Sequence, residues 1–144
     1  MVEEDTVKLL RECNAGIRMG VSFIDEVLPK VKDGGLRQVL EKSRSAHGKL
    51  GDQTYAMLAH YGDEGKEPNP LAKGMAWMKA NVKLTLEDSD NAVADLITDG
   101  CAMGVKSLNR SLNQYQAAGE QAKDLAHRLI QLENQLGQEV RPYL

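Results

Sequence analysis

Few residues in this 144-residue chain have types and spacings that suggest chemistry. His47 lies in an apolar helical stripe, where a histidine is either a hydrogen-bonded core side chain or a metal ligand. Asp95 and Asp99 are one turn apart and share a helix face. Lys106 follows two turns beyond Asp99, and the default for this face is solvent or an interface. Glu133 lies beside the stripe of the last helix, at a position that reads as an exposed edge. Asp124 and His127 have the i, i+3 spacing of a carboxylate–histidine ligand pair. They fall opposite Leu125, Leu129 and Leu132 and so read as surface. Asn14 sits in the stripe of the first helix, as a buried amide that fixes register or as a site residue. Cys13 and Cys101 form no CxxC and read as free thiols packed as small apolar groups. No nucleophile is paired with a base, so the sequence assigns no catalytic residue.

These residues must be positioned by helices. The first is expected from about Glu4 to Leu28, because Leu10, Asn14, Ile17, Val21, Ile24 and Leu28 alternate at spacings of four and three. Pro29 ends it, and Asp33-Gly34-Gly35 makes the turn. The second helix spans about Leu36 to Tyr61, with Leu36, Leu40, Ser43, His47, Leu50, Thr54 and Met57 on one side and Gly62 as its stop. A polar connector follows. Asn69-Pro70 then starts a short third helix carrying Leu71, Met75, Met78 and Val82. Acidic residues near Glu87–Asp90 suit the start of a fourth helix, which runs to about Gln116 through Val93, Ile97, Cys101, Gly104, Leu108 and Leu112. After Gly119 the last helix carries Ala122, Leu125, Leu129, Leu132 and Leu136.

Short turns favour two antiparallel hairpins. The long connection between them carries the short helix and makes the second and fourth helices parallel. The whole chain, 1–144, reads as one all-α bundle domain. With every helix level at the bundle end, His47 and Glu133 come out about 21 Å up, Asp99 about 25 Å and Asp25 about 30 Å, at 1.5 Å per residue. Gly16, Gly20, Gly48, Gly51, Gly100 and Gly104 fall inside helices at a cost of about 1 kcal/mol each against alanine. They imply close backbone approach at mid-bundle or between subunits.

Hydrophobic residues make up 42% of the chain and charged residues 27%, a globular balance. The net charge of -3 and the lack of a dense basic cluster argue against nucleic acid. No apolar run approaches the ~20 residues that span a bilayer. The acidic N-terminus lacks a signal-peptide core, so a cytoplasmic location is expected.

The stretches LLRECNAGIRMG (9–20), YGDEGKEPNPLAKGMAWMK (61–79) and DLITDGCAMGVKSLNRSLNQY (95–115), with this layout, resemble a bacterial branch of the ferritin-like superfamily known mainly as a domain of unknown function. The resemblance implies a ferritin-like four-helix bundle. Metal-binding members place a Glu on each of two helices and Glu-x-x-His on the other two. His47 matches a ligand histidine, but Arg44 stands three residues before it. The first helix offers Asn14 and no central glutamate. The fourth offers Asp99, and Glu133 is followed at three residues by Leu136. The resemblance thus supports the fold and argues against di-iron oxidation chemistry.

The expected function is a non-enzymatic binding or structural protein that self-associates as a homodimer. The alternative is a degenerate site of His47, Asp99 and Glu133 holding one Fe, Mn or Zn. A third reading is a small-molecule pocket lined by Met57, Met75, Met78 and Trp77, although methionine at helical spacing is more often core.

Overall fold

The computed structural model describes residues 2–63 and 89–144. Among them are four long helices: α1 (Val2–Val27), α2 (Gly34–His60), α3 (Asp90–Gln114) and α4 (Glu120–Val140), with single 3₁₀ turns at Leu28–Lys30 and Arg141–Tyr143. No described residue is in a strand. The expected first, second, fourth and last helices are thus α1 to α4, with ends shifted by a residue or two. The expected short third helix at Asn69–Val82 lies outside the described residues.

Local chemistry sets the boundaries. Pro29 sits where α1 tightens into the 3₁₀ turn. The Asp33 carboxylate caps α2 by accepting from the Leu36 amide at 3.0 Å. Ser89 caps α3 through the Ala92 amide at 3.2 Å. At the end of α2, Gly62 takes φ 71°, the left-handed region. The amides of Gly62 and Asp63 then reach back to the carbonyls of Ala59 and Leu58, at 2.9 and 3.0 Å. That is a Schellman closure, which uses carbonyls the helix end would leave unpaired.

The helices pack as two hairpins, α1 on α2 and α3 on α4, and the hairpins meet through α2 on α4 and through α1 on both α3 and α4. Hydrogen bonds at the two ends give the directions. The Asp90 carboxylate accepts from the amides of Lys32 and Asp33, at 2.8 and 3.0 Å, so α3 starts at the α1–α2 turn. At the other end the Ala117 amide donates to Asp5, and the Gly119 amide to Thr6, near the start of α1. Hence α1 and α4 run one way and α2 and α3 the other, as the hairpin layout predicts. Asp63 and Ser89 therefore lie at opposite ends of the bundle. Arg11 on α1 clamps Asp63 with its Nε at 2.8 Å.

The core forms two apolar clusters. Phe23, Ile24, Leu36, Leu40, Ile97 and Leu136 belong to the one near the α1–α2 turn. Leu9, Leu10, Ile17, Leu58, Leu108 and Leu129 belong to the one near the α3–α4 turn. A polar layer containing His47 and Glu133 lies between them.

Because an L side chain in the left-handed region costs about 1–2 kcal/mol, Gly62→Ala should lower the unfolding free energy by about 1 kcal/mol in urea titrations. An unchanged midpoint would mean that the Schellman closure does not hold α2's end.

Candidate functional site

The centre of the bundle is the pair His47 on α2 and Glu133 on α4. His47 is completely buried and Glu133 is 8% exposed. The exposed-edge reading of Glu133 is therefore corrected. The stripe of α4 runs Leu129, Glu133, Leu136, Val140, and all four are buried.

Both imidazole nitrogens are engaged. Nδ1 lies 2.8 Å from the Ser43 carbonyl oxygen, which can only accept, so Nδ1 carries a proton. Nε2 lies 2.7 Å from Glu133 Oε1 and shares a second proton with it. Whether that proton rests on nitrogen or oxygen, the pair is neutral overall. Burial pushes the His47 pKa down, but the hydrogen bond and charge of Glu133, with the Ser43 carbonyl, outweigh it, so the pKa lies above 6.5. Cys101 on α3 lies near the same carboxylate. Burial, then the charge of Glu133, raise its pKa strongly. Burial and the charge of Glu12 push Cys13 up to about 12. Both thiols stay protonated, which removes them as nucleophiles.

Glycines make room for this layer. A Cβ at Gly20 would stand 3.0 Å from the His47 ring, and one at Gly104 would stand 3.3 Å from Glu133 Oε2. Gly16 faces Leu129, and Gly51 faces Ile17 at 3.2 Å. These close approaches are made within the chain, between its own helices. A Cβ at Gly48 meets nothing within 4 Å.

The same glycines open a cleft between α1 and α3. Gly16 and Gly20 line one side, Gly100 and Gly104 the other, and His47, Leu129 and Glu133 form the floor. The cavity volume is about 40 Å³, and the groove above it opens to solvent. Met19, Phe23, Ile24 and Ile97 make one end apolar, while Glu12, Ser107 and Ser111 make the other polar. Glu12 is half-buried, and burial raises its pKa above the ordinary carboxylate value.

The remaining expected site residues are elsewhere. Asp99 is exposed on α3 and does not join His47 and Glu133. Asp25 is also exposed and pairs with Arg44, whose Nε lies 2.5 Å from its carboxylate, so the guanidinium points away from the centre. Asp95, Lys106, Asp124 and His127 are exposed, while Asn14 is buried in α1. Met57 is half-buried against the core, and Met75, Trp77 and Met78 lie outside the described residues. Sequence reasoning missed Glu12 and the cleft. The available signal was a second stripe on α1, Glu12, Gly16, Met19, Gly20 and Phe23, beside the core stripe.

A ferritin-like metal centre needs several free donors facing one point. Here the imidazole nitrogens are committed to the Ser43 carbonyl and to the Glu133 carboxylate. Among the described residues no group of three or more His, Cys, Asp or Glu is arranged to hold a metal ion. The donor set does not fit such a centre. Comparisons of the chain with family models, with curated proteins and with solved structures find no match.

Two sets of variants test the layer by chemical denaturation. His47→Leu alone should destabilise by about 3 kcal/mol, because it strands Glu133, whereas adding Glu133→Met should restore most of that loss. Simple additivity of the two single effects would disprove the pairing. Gly20→Ala should cost about 1–3 kcal/mol against a pinned ring, while Gly48→Ala should gain about 0.5–1 kcal/mol. The pH dependence follows from a folded His47 pKa above 6.5. The pair's contribution is complete below pH 6.5 and is lost as pH rises through the folded value. The stability advantage of wild type over the double variant, which lacks both groups, should shrink as pH rises above 6.5.

Proposed function

We propose that this chain is a non-catalytic, ferritin-like binding module. In it a proton-sharing His47–Glu133 pair stands where metal-binding relatives of that fold keep their ligands, and the α1–α3 cleft takes a small, largely apolar guest. The observation that carries the reading is the cleft itself. It is apolar along most of its length, floored by a satisfied polar pair and free of bulky side chains where four glycines line it. Such concave apolar sites with a few convergent polar groups are where small molecules bind. The protonated, buried thiols and the absence of a nucleophile–base pair among the described residues support a binding role over a catalytic one. The opposed directions of the two hairpins and the separation of Asp63 from Ser89 support the ferritin-like resemblance.

The test uses 1-octanol as probe and ¹H–¹⁵N spectra as readout. Octanol should shift the amides of Gly16, Gly20, Gly100 and Gly104 together. Gly16→Leu should abolish those shifts, since a Cβ there has room against Leu129 at 3.8 Å and the longer side chain would fill the groove. No perturbation of these amides would refute the cleft as a site. Elemental analysis is the second arm: stoichiometric metal that disappears in His47→Ala would favour the Fe, Mn or Zn centre on His47 and Glu133 instead. Self-association is a separate proposal, checked by light scattering, and a monomer removes it.

A further inference from the structure

The cleft is chemically polarised along its length. On α1 it runs from Glu12 to Phe23, about 16 Å at 1.5 Å per residue. Because α3 runs antiparallel, Ser107 and Ser111 stand beside Glu12, while Ile97 stands beside Phe23 and Ile24. The two carboxylates that line the cleft differ in kind. Glu133 is taken up by His47. Glu12 makes no hydrogen bond or ion pair with another described residue. No lysine or arginine lines the cleft among the described residues. A half-buried carboxylate with no counter-charge among the described residues favours a cation beside it, and a carboxylate or phosphate guest would be repelled. The two serines add hydroxyl oxygens that accept hydrogen bonds from such a head group. Beyond them the wall offers glycine backbone and aliphatic side chains.

Resting on the binding reading above, we propose that the cleft takes a linear primary alkylamine, with its ammonium group at Glu12 and its alkyl tail along the glycine-lined groove towards Phe23 and Ile97. The head group meets Glu12, Ser107 and Ser111 near solvent. The tail displaces water from the apolar stretch, which supplies the affinity. The charge at Glu12 supplies the selectivity.

Calorimetric titration of the full chain with n-octylammonium chloride, 1-octanol and sodium octanoate, each kept monomeric in solution, tests this. Octylammonium should bind about tenfold more tightly than octanol, the effect of one partly exposed charge pair, and octanoate should bind most weakly. Glu12→Gln keeps size and shape at a half-buried position. It should bring octylammonium to the affinity that octanol shows for the same variant. Equal affinity of amine and alcohol for the wild type, or an amine advantage that survives Glu12→Gln, would overturn the alkylamine assignment and leave the cleft reading standing. Failure of all three probes to bind would overturn both.

Discussion

A histidine and a glutamate, both buried at the middle of the bundle, must satisfy one another. Everything at the middle of this bundle is arranged around that demand. The pair joins α2 to α4, which belong to different hairpins, so it is a bond between the two halves of the fold. An imidazole ring and a carboxylate need space that neighbouring helices must give up, and Gly20 and Gly104 give it. The apolar clusters pack against the layer from either side. A buried pair of this kind contributes less to net stability than to specificity, because desolvation offsets much of the attraction. Its effect is on register: sliding α4 along α2 by one turn would strand both groups.

The same bond explains why the bundle centre is chemically quiet. An imidazole whose Nδ1 donates to Ser43 and whose Nε2 shares a proton with Glu133 has no free lone pair to give, and the carboxylate is engaged in the same bond. The raised thiol pKa values of Cys13 and Cys101 follow from burial and from negative charges nearby. His47, Glu133, Cys13 and Cys101 are thus consumed by architecture. Among the described residues of the cleft, the carboxylate left uncommitted is Glu12, at the edge rather than at the floor.

Helix positions and directions were legible in the sequence because they follow from periodicity and caps: Asp33, Ser89, Pro29 and Gly62 act where their chemistry says they should. His47 at the centre was legible for the same reason, since it lies on the stripe through Leu40, Ser43 and Thr54. Glu133 was misread because the stripe of α4 was traced through Leu132. Carried through to Val140, the spacing selects Leu129, Glu133, Leu136 and Val140, but a charged residue on a seam can be placed only when its partner is known. That partner is 86 residues away in sequence. Asp99 showed the converse failure, since its height matched while its azimuth pointed outward. Heights follow from counting residues, whereas azimuths depend on which neighbour a helix faces. The cleft was invisible for a related reason: glycines indicate that something comes close, without saying whether it is a side chain, a helix or empty space.

The two turns of the bundle are closed by a reciprocal arrangement. Asp90, at the start of the second hairpin, holds the amides of Lys32 and Asp33 in the first hairpin's turn. Asp5 and Thr6, at the start of the first, hold the amides of Ala117 and Gly119 in the second's turn. None of these bonds, nor the central histidine–glutamate bond, involves residues 64–88. Through these residues the halves recognise each other by surface. Cutting the chain between them changes the entropy of their meeting but not these bonds. Assembly of the separated halves becomes a second-order process, governed by concentration where the intact chain is governed by tether length.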